Sequence, residues 1–345
     1  MKQRYHTLDA IRGVAAFCVV MLHGSGWFGP LKASGGYLAV DLFFALSGFI
    51  IADVYEPRFA AGLTARAFIW QRAVRFWPLY MLGTLIGLFV AVIATPSWWL
   101  APQAAGATLF LPSGATHLYP LNKVAWSLGL ELLANLVFVL VWRSATVRNL
   151  LIVIGLSAVV LVLVALRDGN LEGGFALATL DTGLARVTFS FSLGVLLYRL
   201  LPRLRHIPFP AWILVLLPYP LMLRSFGPLY DLALVMIAFP ILLLLAAKNQ
   251  IRSGVWLASG LGLASYALYA VHKPLTSLID NAAEHVGINL SEYAVWSGLV
   301  LGAAFLLGSW ILGTFDDKLQ DHLKKRRAAK ANAVPASRLF ELSPR

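Results

Sequence analysis

Residues 8–28 read LDAIRGVAAFCVVMLHGSGWF, a stretch with the length and apolarity of a membrane-spanning helix that nonetheless carries Asp9, Arg12 and His23. Ionisable side chains in such a segment are costly and mark functional positions by default. Asp9 and Arg12 are three residues apart, so a helix sets them on one face, where they pair with each other or reach neighbouring helices. His23 is suited to proton transfer near neutral pH; its other reading is a packed interfacial histidine. The same mixture recurs further on. GYLAVDLFFALSGFII, residues 36–51, places Asp41 and Ser47 in an apolar helix. In RAVRFWPLY, residues 72–80, Arg72 and Arg75 share a helix face, and two guanidiniums so placed can grip phosphates bidentately or merely decorate a membrane edge. LNKVAWSLGLE, residues 121–131, leads through Trp126 and Ser127 to Glu131, a lone carboxylate in its apolar segment that either becomes protonated or finds a polar partner. SYALYAVHKP, residues 265–274, puts His272 near the end of an apolar run.

The elements that must position these groups follow from composition. Of 345 residues, 59% are hydrophobic and 13% charged, and the mean hydropathy is +0.75. Apolar runs of about 18 residues or more recur along the chain, the mark of helices crossing lipid. Only helices and closed barrels satisfy their backbone polar groups there, and the short alternating segments of a barrel are absent from this sequence. The expected fold is all-α and polytopic, with about ten transmembrane helices near 9–29, 37–54, 76–95, 126–142, 149–166, 186–201, 211–224, 229–247, 255–272 and 293–313. These form one transmembrane domain over 1–317. Residues 318–345 are expected to form a basic tail, disordered beyond Ala328. A polar connection from about Pro96 to Ala125 carries Trp98 and Trp99, read as interfacial belt residues.

With the N-terminus placed in the cytoplasm, 21 of the 28 Lys and Arg residues fall on the inner side, six (Lys32, Lys123, Arg167, Arg186, Arg224 and Lys273) on the outer side, and Arg12 lies within the first span. Both termini are therefore expected in the cytoplasm of a cell whose inner membrane holds the protein. The net charge of +12 is dispersed over loops and helix ends and points to topology rather than to nucleic acid. Cys18, the single cysteine, excludes an intramolecular disulfide. The seven histidines are scattered with no metal-ligand spacing, so no metal site is expected, and no phosphate-binding loop motif occurs.

Taken in order, the five stretches resemble the acyltransferase-3 family of integral membrane O-acyltransferases. Its members read L-D-x-L-R-G…H, G-V-D-x-F-F-x-L-S-G-F, R-x-x-R-x-x-P, W-S-L-x-x-E and S-Y-x-L-Y-x-x-H-x-P, all of which have counterparts between Leu8 and Pro274. The departures are small: Ala39 stands where glycine is common, and residues 132–135 replace frequent aromatics. The resemblance implies transfer of an acyl group, commonly acetyl, from acyl-CoA to a hydroxyl of an extracytoplasmic glycan or glycolipid, with acyl-CoA as co-substrate and no permanently bound cofactor. It makes His23 the catalytic histidine. From the chemistry of the residues themselves, Glu131 is expected beside it, orienting the ring and stabilising its cationic form, and Arg72, Arg75 and Arg12 are expected to hold the donor, Arg12 having structural pairing with Asp9 as its other reading. Asp9, Asp41, Trp126, Ser127 and His272 are expected to support the site. Donor grip and chemistry should lie at different depths, because His23 is eleven residues beyond Arg12, about 16 Å along a helix. A transporter or flippase for lipid-linked sugars would also need intramembrane charges, but it lacks a reason for the five motifs to occur together.

Overall fold

The computed structural model describes residues 4–24 and 26–332. Eleven helices account for these described residues: α1 His6–His23, α2 Ala39–Ala60, α3 Ala65–Ala94, α4 Leu100–Thr108, α5 Ala125–Val141, α6 Val147–Asp168, α7 Leu180–Leu200, α8 Ala211–Met222, α9 Pro228–Lys248, α10 Val255–His285 and α11 Trp296–Asn332. Eight helical segments are long and apolar enough to cross a membrane, and α5 and α8 are shorter apolar helices. The fold is thus an all-α polytopic membrane protein, with α4 lying in the connection between α3 and α5. Of the expected tail, 333–345 lie outside the described residues, and α11 runs on to Asn332.

Local sequence starts and stops several helices. Thr64 opens α3 by accepting a hydrogen bond from Ala67 N at 3.3 Å, and Thr146 opens α6 by accepting from Asn149 N at 3.2 Å. Gly169 ends α6 at φ +76°, a backbone conformation that glycine adopts without steric cost. Packing then decides the arrangement. In lipid there is little hydrophobic drive between helices, so association depends on small residues that let backbones approach. Gly13 and Gly262 do this between α1 and α10: a Cβ on Gly13 would lie 2.7 Å from Leu261 O, and one on Gly262 would lie 2.8 Å from Asp9 Cβ. Gly48 and Gly194 do the same reciprocally between α2 and α7, against the backbone of Phe191 and Ala45. α2 is buried over most of its length, whereas α6 and α11 present Leu151, Leu156, Leu163, Leu307 and Phe315 outward.

Contacts along these interfaces run in the same sense. Asp9, Arg12 and His23 of α1 meet Gly262, Ser265 and His272 of α10 in that order. Asp41 and Glu56 of α2 meet Arg186 and Arg199 of α7. Parallel packing of α1 with α10 and of α2 with α7 is what alternate crossings require for these members of a ten-span series. One end of the bundle therefore holds Asp9 and Arg12, and the other holds His23 and His272.

Two prolines inside helices have their freed carbonyls filled from elsewhere. Proline has no N–H for the carbonyl four residues before it. Pro274 leaves Ala270 O, which accepts instead from Asn122 Nδ2 at 3.0 Å; Pro78 leaves Val74 O, which accepts from Gln320 Nε2 at 3.0 Å. Asn122 thereby pins the segment before α5 to α10. Replacing Asn122 by leucine is expected to destabilise the protein by about 1–3 kcal/mol, the usual loss when a buried acceptor is left unsatisfied. In a Pro274→Ala background, where the substituted residue supplies a backbone N–H of its own, the same change at Asn122 should cost less. Equal losses in both backgrounds, measured by thermal unfolding in detergent, would show that Asn122 acts some other way.

Candidate active site

Where α1, α2, α3, α5 and α10 converge, they enclose a cavity of about 410 Å³. Its charged lining is Arg4, Asp9 and Arg12 from the start of the chain, Asp53 from α2, Arg72 and Arg75 from α3, and Glu131 from α5. The arginines are held by neighbours rather than left loose. Arg12 Nη2 donates to Asp9 Oδ1 at 3.1 Å and Arg12 Nε to Ser265 Oγ at 2.9 Å, which fixes the guanidinium between α1 and α10. Arg4 also reaches Asp9, at 3.3 Å. Arg75 pairs with the buried Asp316 of α11.

Arg72 is the most deeply engaged. Its Nη2 donates to Glu131 Oε1 at 2.9 Å, and its guanidinium lies over the Phe76 ring at 4.7 Å. Ser47 Oγ donates to the same glutamate oxygen at 2.5 Å. Arg72 Nε is buried and makes no hydrogen bond to a described residue.

These contacts correct one expectation. Glu131 does not orient His23: its carboxylate is taken by Arg72 and Ser47. α3 begins at Ala65, ahead of the span expected from residue 76, so Arg72 and Arg75 lie within the helix on the N-terminal side of its apolar stretch, and the Arg72 side chain is only 16% exposed. A largely buried carboxylate must be neutralised or paired, and this extension of α3 brings a guanidinium within reach.

The far wall of the cavity is formed by Ser127 and Tyr269, whose hydroxyls are 2.5 Å apart. One turn along α10 from Tyr269, behind that wall, lie the two histidines. His272 is fully buried, and its Nε2 is 3.2 Å from Nδ1 of the half-buried His23. The hydrogen-bond partners determine the tautomers. His272 Nδ1 faces Tyr269 O at 2.8 Å and Leu268 O at 3.1 Å; carbonyls only accept, so Nδ1 carries the proton and Nε2 is a lone pair. His23 Nδ1 faces Val19 O at 3.0 Å and so also carries a proton, shared with His272 Nε2. The lone pair of His23 is thereby placed on Nε2. His272 occupies the orienting position that sequence reading assigned to Glu131.

The remaining expected residues fall into place around these two centres. Ser127 is part of the wall between them. Asp41 lies outside the cavity, in a fully buried pair with Arg186 at 2.7 Å, with Ser190 Oγ donating to it at 3.4 Å. Arg186 also donates to Tyr37 O at 2.7 Å and Gly173 O at 3.0 Å, and Trp126 packs under its guanidinium at 5.6 Å. Asp41 and Trp126 thus belong to an ionic cluster joining α2, α5 and α7. Arg186, read from the sequence as an outer basic residue, is the centre of that cluster, and Ser47 is a partner of Glu131. Tyr266 and Tyr269 are the site residues that sequence reasoning misses; their spacing before His272 within SYALYAVHKP is the available signal. Among the described residues, no group of three His, Cys, Asp or Glu side chains is placed to hold a metal ion.

The acyltransferase domain of the acyltransferase-3 family matches residues 5–314, nearly the whole transmembrane bundle. The chain belongs to this family. It is also similar to a curated protein from Rhizobium radiobacter named protein 2 in picA locus, with 38% identity over 183 residues, covering 47% of this chain and 95% of that protein. No solved structure matches the chain significantly. Family membership makes the protein a multi-pass membrane acyltransferase, and the cavity and histidine pair are where its chemistry is to be sought.

Proposed function

We propose that the protein transfers an acyl group, acetyl in the simplest case, from acyl-CoA to a hydroxyl of an extracytoplasmic glycan or glycolipid. The observation that carries this reading is the pairing of an arginine-lined cavity and a histidine whose tautomer leaves Nε2 as a base one turn beyond the cavity wall. The cavity volume of about 410 Å³ falls in the range of small-molecule and cofactor sites. Arg12, Arg72 and Arg75 suit the phosphates of the donor nucleotide, and Glu131 is the anchor that holds Arg72 in place. The thin pantetheine arm would carry the thioester past the Ser127–Tyr269 wall, whose 2.5 Å hydrogen bond must open to admit it.

His23 Nε2 takes the proton of the acceptor hydroxyl as its oxygen attacks the thioester carbonyl. The tetrahedral adduct collapses with cleavage of the C–S bond, and the thiolate takes the proton from His23 to leave coenzyme A. While His23 is cationic, its Nδ1–H is held by the lone pair of His272 Nε2 and by Val19 O. The preponderance of basic residues at the arginine end supports a placement with that end and both termini in the cytoplasm, in the cytoplasmic membrane. Donor would then enter from inside and acceptor from outside.

The test is to incubate the purified protein with labelled acetyl-CoA and an extract of envelope glycans. Ester-linked label on a glycan, with release of coenzyme A, is the expected result. Movement of glycan across a vesicle membrane without acylation would replace this reading with transport.

A further inference from the structure

At the histidine end of the bundle, basic residues gather around one point. Of the six assigned there from the sequence, Arg186 is neutralised by Asp41, and Arg167 by Asp168 at 2.7 Å and Asp181 at 2.6 Å. Three of the remaining four are Lys32, Lys123 and Lys273, and none of the three makes a hydrogen bond or ion pair to a described residue. They gather around Lys273, the residue after the histidine that contacts His23. Lys273 directly follows His272, whose Nε2 lies 3.2 Å from the His23 ring. Lys123 directly follows Asn122, whose bond to Ala270 O holds that segment to α10 within one turn of Lys273. Lys32 lies beyond the end of α1, close enough for its charge to act on both His23 and Lys273. His117, in the same connection as Lys123, feels Lys123 and Lys273 together. One carboxylate, Asp280, acts on Lys273 in the opposite sense, and its Oδ1 accepts from Trp27 Nε1 at 2.8 Å.

Like charges gathered in this way repel each other, and two of them, Lys273 and Lys32, act on a base that must itself become cationic. Outer loops are also where basic residues are ordinarily sparse. Their ammonium groups bond to no described residue, so the charges are not compensated by an ion pair there. A cluster of one sign at the mouth of a site concentrates and steers ligands of the other sign. We propose that Lys32, Lys123 and Lys273 form the acceptor subsite, and that the acceptor is an anionic glycan carrying a phosphate or carboxylate close to the hydroxyl that is acylated. This rests on the reading of His23 as the acyl-transfer base. The anion has two chemical sources: the pyrophosphate of a lipid-linked saccharide, or an acidic sugar within a polymer.

The experiment uses the full chain in detergent, [14C]acetyl-CoA, and an envelope-glycan extract of the producing cells fractionated on an anion exchanger. Label is expected in the retained, anionic fraction. Mild acid then separates the two sources, because it cleaves a glycosyl pyrophosphate and leaves an acidic polymer intact. The variant Lys32→Gln/Lys123→Gln/Lys273→Gln should raise KM for that fraction about tenfold or more and abolish the salt dependence of transfer. The corresponding triple arginine variant should restore both. Coenzyme A affinity and melting temperature report whether the glutamine variant is folded; if it is not, the wild-type salt dependence and charge of the labelled fraction decide. Label confined to the unretained, neutral fraction, or equal transfer by wild type and a folded glutamine variant, would overturn the subsite. If coenzyme A is not released and no fraction is labelled, the acyl-transfer reading itself fails and the subsite falls with it.

Discussion

Replacing His23 by alanine should leave coenzyme A binding intact and lower acyl transfer by about 10²–10⁴-fold in kcat, the range a positioned general base supplies. The separation follows from geometry. His23 does not line the arginine cavity, and the nearest cavity residue on α10, Tyr269, precedes His272 by one turn. The donor's charged groups would therefore contact nothing that the substitution removes. His272→Ala should produce a smaller version of the same defect, about 10–100-fold, since the His23 ring would lose the acceptor that shares its Nδ1 proton but keep the bond to Val19 O. Calorimetric titration with coenzyme A, paired with single-turnover transfer, measures both. Loss of coenzyme A binding in His23→Ala, with normal binding in Arg72→Ala and Arg75→Ala, would show that donor grip and chemistry share one location.

Arg72→Ala should be damaging twice. It removes a guanidinium from the cavity, and it leaves Glu131 as a buried carboxylate with Ser47 as its remaining polar partner. Both Arg72 and Glu131 are partly buried, at 16% and 13% exposure, so breaking the pair from one side should cost more than an exposed pair but less than the roughly 3–5 kcal/mol of a fully buried one. The two effects can be separated with Arg72→Met/Glu131→Leu, which removes both charges while keeping bulk. That double variant should recover most of the lost thermal stability and none of the donor affinity. Glu131→Gln tests the same pair from the other side. It should keep a hydrogen-bonding partner for Arg72, fold, and weaken coenzyme A binding more than it lowers kcat. If Glu131→Gln instead lowered kcat strongly at unchanged donor affinity, the glutamate would act on His23 through some arrangement other than the one observed.

The sequence by itself determined the class of fold and the set of chemically meaningful residues. Runs of apolar residues long enough to cross lipid dictate helices, because no other open structure satisfies its backbone there. Spans near 211–224 and 126–142, too short to be secure by length, correspond to α8 and α5. The five motifs also pick out His23, His272, Arg12, Arg72 and Glu131, since ionisable groups stand out sharply against an apolar background.

What only the tertiary structure decided is which of these groups meet. Pairing in a helical bundle depends on helix rotation and on the close approaches permitted by Gly13, Gly48, Gly194 and Gly262, and none of these is encoded in hydropathy. Similar depth in the membrane made Glu131 and His23 look like partners. Rotation instead turned Glu131 toward Arg72 and Ser47, and turned His272, on a helix parallel to α1, toward His23. Likewise, Arg186 read as one more basic residue beside a span until the contact of α2 with α7 buried it against Asp41. Side-chain charge is a local property and can be read along a chain. Whether that charge is paired, and with what, is a property of the space between helices.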